Sequence, residues 1–222
     1  MKIDGLEIKA VIFDLDGTLL DSCSIWTDVD RNFFEKRNMK MPVDYSEAIG
    51  HLGLDKAAEY TINRFNLKED KMDIIKEWKQ DVLHKYATEV KLKPGVKEFL
   101  SILKAQHIPF CAATANDEDC YKSCLIHNGI YDDFDFILEV NHFKDGKDKP
   151  TIYLEAAKRL NTTKEYCLVC EDLAIPILTC KKSGFIPCAI YEVSCKEETE
   201  KALNARFYIK DFRELIEKIT ND

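Results

Sequence analysis

The chain has 222 residues, 45% hydrophobic and 32% charged, a balance that fits a folded globular protein and excludes a disordered or fibrous one. Its 32 basic and 40 acidic side chains give a net charge of −8, which argues against a nucleic-acid-binding surface but leaves room for a small anion held by a few local cations. Met1 to Glu7 alternates polar and apolar residues without a secretory apolar run, and no segment approaches membrane-spanning length. With no signal peptide, the nine cysteines fit free thiols in a reducing cytoplasm, so a cytoplasmic location is expected.

In chain order, Ala10-Val11-Ile12-Phe13 is an apolar run closed by Asp14, Asp16, Gly17 and Thr18, the pattern of a buried strand ending at a turn. Ligands of open α/β sheets bind at such strand ends. Asp14 lies at the end and Asp16 two positions on, on the same side by the two-residue period. Carboxylates this close repel unless something positive lies between them, and a divalent cation is the obvious candidate.

After Asp21-Ser22 the period turns helical. Trp26, Val29 and Phe33 form one stripe, flanked by Ile25 and Phe34, and Met41-Pro42 breaks it. Leu54, Ala58, Ile62 and Phe65 mark a second helix, and Met72, Ile75, Lys79, Val82 and Tyr86 a third. Asn38 and the stretch from Ile49 to Gly53 read as connections, and the aromatics as core. Lys93-Pro94-Gly95 then opens a helix carrying Val96, Phe99, Leu100 and Leu103, with Pro94 in its first turn.

From there strands alternate with helices. Strands are expected over Pro109 to Thr114, Phe134 to Leu138, Tyr166 to Cys170, Ile186 to Tyr191 and Phe207 to Ile209. Helices are expected over about Asp117 to His127, Pro150 to Leu160, Pro176 to Ser183, a short stretch after Tyr191, and Phe212 to Ile219. This alternation predicts an α/β fold, a Rossmann-like, mainly parallel sheet with helices on both faces. It is discontinuous: residues 1–20 and 91–222 form the core, and 21–90 a helical insertion after the first strand.

Other chemistry sits at strand ends. Thr114 precedes Ala115, Asn116 and Asp117 at a helix start, a natural oxyanion holder, although Thr114 or Asn116 also suits a capping role. Leu168-Val169-Cys170 runs into Glu171-Asp172, an acidic helix start or, beside Asp14 and Asp16, a metal anchor. The loop Gly146 to Tyr153 offers two lysines, Lys147 and Lys149. Cys167 and Cys170 form a Cys-x-x-Cys, but residues three apart on a strand face opposite ways, so they read as core. Cys120 and Cys124 share a helical face without a second zinc-spaced pair.

The stretch Asp14-Leu15-Asp16-Gly17-Thr18 after its strand resembles the first motif of the haloacid dehalogenase-like hydrolases, Asp-x-Asp-Gly-Thr. Thr114 is similar to the second motif and Glu171-Asp172 to the fourth, with Leu173 in place of its Ser and Pro176 in place of its Gly. The third motif often reads Gly-Lys-Pro-x-Pro-Asp-Ile-Tyr. Without gaps it puts Lys147 in the lysine place, with Asp148 and Thr151 departing from the pattern; Lys149 serves only with a deletion. The helical insertion lies where the phosphoglycolate phosphatase and β-phosphoglucomutase branch carries its cap.

The resemblance implies an Mg²⁺-dependent phosphatase acting on a small phosphorylated metabolite. Asp14 would be the nucleophile that forms an aspartyl-phosphate, and Asp16 the general acid and base. Thr114 and the lysine, assigned to Lys147, would hold the phosphoryl oxygens, with Ala115 and Asn116 beside them. Asp14, Asp172 and the Asp16 carbonyl would bind Mg²⁺, with Glu171 binding directly or through water. His51 and Trp26 in the cap would touch the leaving group. No nucleic-acid or membrane partner is implied, and a monomer is expected. A sugar phosphomutase is the alternative, although Gly50-His51-Leu52-Gly53-Leu54-Asp55 lacks the Arg that usually holds a second phosphate. A phosphonate hydrolase would need a cap lysine, for which Lys36, Lys40 and Lys56 are undistinguished. An inactive binding or regulatory protein is the reading from another class.

Overall fold

The computed structural model describes residues 1–49, 52 and 54–220. Its elements in chain order begin with the strands β1 (Lys2–Ile3), β2 (Leu6–Glu7) and β3 (Ala10–Phe13). Four helices follow: α1 (Ile25–Lys36), α2 (Tyr45–Ile49), α3 (Leu54–Phe65) and α4 (Lys71–Thr88). Then come α5 (Val96–Ala105), β4 (Phe110–Thr114), α6 (Glu118–His127), β5 (Ile137–Glu139), α7 (Thr151–Arg159), β6 (Cys167–Glu171) and α8 (Ala174–Ser183). The chain closes with β7 (Ile186–Ile190), α9 (Glu198–Asn204), β8 (Phe207–Ile209), α10 (Phe212–Glu217) and β9 (Ile219–Thr220). It divides into two compact units, Met1–Ser22 with Val90–Asp222, and Cys23–Glu89.

The first unit is a six-stranded sheet in the order β5-β4-β3-β6-β7-β8, every pairing parallel. It is α/β, as the alternation of elements predicts. Parallel strands flanked by helices are buried on both faces, which is why β3, β4 and β6 read as continuous apolar runs. The chain adds β4 and β5 on one side of β3 and then crosses to β6 on the other. The carboxyl end of β3 is therefore the topological switch point, where such sheets open a crevice.

Several boundaries differ from the sequence reading. Phe134 is not in a strand: Tyr131–Asp133 form a 3₁₀ turn, and the Phe134 ring packs edge-on against Phe110 at 5.4 Å. Pro94 precedes the helix and Gly95 caps it, at φ +81°. Only glycine fits there, because a Cβ would sit 2.5 Å from the Arg213 backbone nitrogen. Pro150 likewise stands at the cap of α7 and outside the helix. Ile219 ends no helix; it pairs with Ile3 in a small antiparallel sheet, β2-β1-β9. Its hairpin turns at Asp4 and Gly5, φ +45° and +77°, the left-handed pair that Asp-Gly favours.

The second unit holds α1 to α4. Phe34 meets Tyr45 edge-on at 4.7 Å and Phe65 at 4.8 Å, and Phe33 lies 5.5 Å from Trp78. The Tyr45 hydroxyl and Thr61 Oγ1 share a buried hydrogen bond of 2.7 Å. The sequence reading missed α2, which is too short to show a period. Burial of Tyr45 and the hydrogen bond from its N–H to the Pro42 carbonyl, 3.1 Å, hold its start.

Candidate active site

The first motif is set by β3 and the turn after it. The Asp14 N–H donates to the Cys170 carbonyl at 2.9 Å, continuing the β3–β6 ladder, so Asp14 is fixed beside Glu171. The chain then turns at Gly17, φ +76°, a conformation glycine adopts without cost. The N–H groups of Thr18, Leu19 and Leu20 all converge on the Leu15 carbonyl, at 3.2, 2.9 and 2.8 Å. The loop is thus braced by its own backbone.

Asp14, Glu171 and Asp172 come together, each buried and each offering an oxygen within 4.8 Å of the others. The Lys147 ammonium reaches into this group: it contacts Asp14 Oδ1 and donates to Glu171 Oε1 at 2.7 Å. The Gly146 carbonyl accepts from the Lys149 N–H at 3.1 Å, and this turn sends the two lysines different ways. The Lys147 side chain is 11% exposed and that of Lys149 62%.

Electrostatics follow from this packing. Burial pushes the Asp14 carboxyl well above its usual range; Lys147 pulls it down, and Glu171 and Asp172 push it further up. Burial, reinforced by Glu171, raises Asp172 to about 7. For Lys147, burial opposes the charge, but Asp14 and Glu171 outweigh it and hold the ammonium above its ordinary value. Fully ionised, the three carboxyls and one ammonium would leave two negative charges in a buried site; the upward shifts express that repulsion, which a divalent cation would relieve. The donors are all hard oxygens, the set Mg²⁺ prefers.

Asp16 faces other partners. Ser22 Oγ donates to its Oδ1 at 2.6 Å and Asn116 Nδ2 to its Oδ2 at 2.8 Å. Its carboxylate is outside the acidic cluster, so any part in holding a metal falls to its main chain. Thr114 Oγ1 accepts from the Asn116 N–H at 3.0 Å, and Ala115 is exposed beside it. Asn116 does not cap α6; that position is Asp117, whose N–H the Asn116 Oδ1 accepts at 2.9 Å. Trp26 belongs to the helical unit, and His51 lies outside the described residues.

Three residues of the site carried no assignment from sequence. Tyr153, fully buried on α7, donates from its hydroxyl to Glu171 Oε1 at 2.6 Å. Ser22 holds Asp16. Lys201, fully buried on α9, donates to the carbonyls of Asp172 and Ile190, both at 2.7 Å, and to Glu198 at 2.6 Å, so it fixes the strand end that presents Asp172. A tyrosine on an amphipathic helix and a lysine on a short one read as core and surface; only the position of Ser22 just after the first motif hinted at a role.

Comparison with known proteins shows the family. The family model "Haloacid dehalogenase-like hydrolase" matches residues 11–190. "Putative phosphatase YhcW" of Bacillus subtilis is 27% identical over 178 residues, 80% of each chain. "Phosphorylated carbohydrates phosphatase" of Thermotoga maritima is 25% identical over 177 residues, 80% of this chain and 82% of that one. Among solved structures, "putative beta-phosphoglucomutase from Thermotoga maritima" superposes with a TM-score of 0.81 at 23% identity, covering 91% of this chain and 94% of that one, a likeness of fold. With a family match running from β3 through β7, and the acidic cluster at the carboxyl ends of β3 and β6 within it, the chain belongs to the haloacid dehalogenase-like hydrolases.

Proposed function

We propose that the protein is an Mg²⁺-dependent phosphatase that hydrolyses a small phosphorylated metabolite through an aspartyl-phosphate on Asp14. The observation that carries the reading is the division of labour between two aspartates of one loop. Asp14 is buried against an ammonium and two further carboxylates, whereas Asp16 is held by two neutral donors, Ser22 and Asn116. Such a pair suits two roles, a nucleophile and a proton carrier. Similarity to proteins named as phosphatases supports the reaction class.

Asp14, Asp172 and the Asp16 carbonyl would hold the Mg²⁺, with Glu171 beside them. Bound there, it would neutralise the excess negative charge and draw the phosphoryl oxygens into place. An Asp14 oxygen attacks phosphorus while the ester P–O bond breaks, and Asp16 gives its proton to the departing oxygen. Asp16 then takes a proton from water, which attacks the phosphoryl group, releasing inorganic phosphate and restoring Asp14. Lys147 and Thr114, with Ala115 and Asn116 beside them, stabilise the non-bridging oxygens. Tyr153 keeps Glu171 oriented. The helical unit, 21–90, is the proposed cap that would sort leaving groups, with Trp26 and His51 as its candidate specificity residues.

The test is rapid quenching during turnover of p-nitrophenyl phosphate with Mg²⁺, followed by peptide mapping. Phosphate should be found on the peptide carrying Asp14, and Asp14→Asn should abolish both labelling and turnover while the protein stays folded. Label on another residue, or turnover by the Asp14→Asn variant within tenfold of the parent, about 1.4 kcal/mol of barrier, overturns the assignment. Isomerisation of a sugar phosphate without net phosphate release would instead make it a mutase.

A further inference from the structure

The helical unit contains a cavity of about 390 Å³ lined by Trp26, Trp78, Asp30, Ser46, Ile49 and Leu52 among others, a volume in the range of small-ligand sites. Two features set it apart from a packing gap. Its mostly apolar lining includes an acid: Asp30 is 4% exposed, as deeply covered as Trp78, whereas Trp26 is half-exposed. Ser46 Oγ donates to one of its oxygens at 2.6 Å; no cation and no second donor pairs with it among the described residues. Isolated buried carboxylates are costly unless a positive group or hydrogen bonds compensate them, and burial raises the Asp30 carboxyl above its usual range despite Ser46. The second feature is aromatic. Trp26 and Trp78 are the only tryptophans in the chain, both line this cavity, and the Trp78 indole N–H, buried, has no hydrogen-bond partner among the described residues.

We propose that this cavity binds an organic ammonium group, with Asp30 as counter-ion and the two indoles as cation–π walls. Indole faces attract cations, more strongly once water is excluded. The ammonium supplies the charge that Asp30 lacks, and Ile49 and Leu52 meet its alkyl or aryl body. Neutral hydrogen-bonding rings fit the aromatic walls but leave the Asp30 charge uncompensated. The ammonium can belong to a phosphorylated amine that is the substrate, or to a free amine. The first source rests on the phosphatase reading and the binding itself does not.

Tryptophan fluorescence reads the site directly, since every indole of the chain lines it. The wild-type protein is titrated at constant ionic strength with choline and with phenethylamine. Their uncharged counterparts, neohexanol and phenethyl alcohol, are titrated in parallel. At least one amine should give a saturable change with at least tenfold higher affinity than its counterpart. Asp30→Asn, which keeps the shape and the acceptor for Ser46, should abolish that preference without lowering the unfolding temperature. The proposal is overturned if neither amine saturates, if the neutral compounds bind as tightly, or if the Asp30→Asn variant retains the preference. The wild-type comparison decides the matter even if the variant fails to fold. Phosphocholine then separates the sources. Its hydrolysis, with KM at least tenfold higher in Asp30→Asn, places the ammonium on the substrate; choline binding without phosphocholine hydrolysis makes the ligand a free amine. Loss of p-nitrophenyl phosphate turnover in the wild type would count against the phosphatase reading alone.

Discussion

Replacing Lys147 and, separately, Lys149 by alanine tests the electrostatic core of the site. The two lysines are two residues apart, yet Lys147 is clasped by Asp14 and Glu171 while Lys149 lies 3.8 Å from an exposed Asp148. Removing the Lys147 ammonium leaves Asp14, Glu171 and Asp172 within 4.8 Å of one another without a positive side chain among them. Unit charges about 4 Å apart interact by ~4 kcal/mol at an effective dielectric near 20, so Asp14, the proposed nucleophile, should become harder to ionise and an incoming phosphoryl group should meet a more negative site. By analogy with a lost oxyanion donor, turnover should fall roughly 10²–10³-fold, about 2.7–4 kcal/mol of barrier. Lys149→Ala removes only a solvated loop charge, for which exposed-pair energies are near zero, and should leave kcat/KM within about threefold.

The assay is steady-state hydrolysis of p-nitrophenyl phosphate at saturating Mg²⁺, with circular dichroism to confirm folding. If Lys149→Ala is the dead enzyme and Lys147→Ala is not, the phosphate-facing lysine is misassigned and the loop must rearrange during turnover. If both variants are fully active, the ammonium is structural and the charge argument fails.

Three further outcomes are expected. Chelation should abolish turnover, Mg²⁺ should restore it and raise the unfolding temperature, and Ca²⁺ should inhibit, because its longer and more numerous oxygen contacts misplace Asp14; full activity after exhaustive chelation refutes the metal reading. Ser22→Ala and Asn116→Ala should slow alkyl phosphates by at least tenfold more than p-nitrophenyl phosphate, whose leaving group departs as a stable anion and needs little help from Asp16; equal losses on both would show that these residues do not act through the proton. Glu192→Gln breaks the buried pair with Lys93, 2.7 Å long, and should cost about 3–5 kcal/mol at neutral pH by the usual penalty for a stranded buried partner. Burial alone would raise Glu192, but the Lys93 hydrogen bond and charge, helped by Ser194, hold it below its usual value. Its stabilisation is therefore complete above about pH 4.3, the unfolded value, and is lost as pH falls through the lower folded value. Urea unfolding from neutral to acid pH should show the parent and the variant converging; a gap that widens toward acid contradicts the sign.

What could be read from sequence divides along a physical line. The parallel strands were legible because burial on both faces makes each a continuous apolar run, and because a run must stop where an acid or glycine reaches the sheet edge, as at Asp14 and Glu171. Elements shorter than their own period were not. Five residues of α2 cannot show a helical stripe, and the two-residue strands β1, β2 and β9 offered only the Asp4-Gly5 turn as a signal. The site follows the same division. Which residue types gather at the switch point is local information carried by the strand ends; which of them touch is not. Nothing local says that Tyr153 donates to Glu171 rather than filling the core, or that Lys201 supports the carbonyl of Asp172 from 29 residues away. Nor does it say that two aspartates two residues apart diverge. The two-residue period puts Asp14 and Asp16 on one side only while the strand continues. Once β3 ends at Phe13 and the chain turns at Gly17, that period no longer governs. Asp14 stays in the ladder with the acids of β6, and Asp16 swings to the hydroxyl of Ser22 and the amide of Asn116. The separation of the proposed nucleophile from the proposed proton carrier thus arises from where the strand stops.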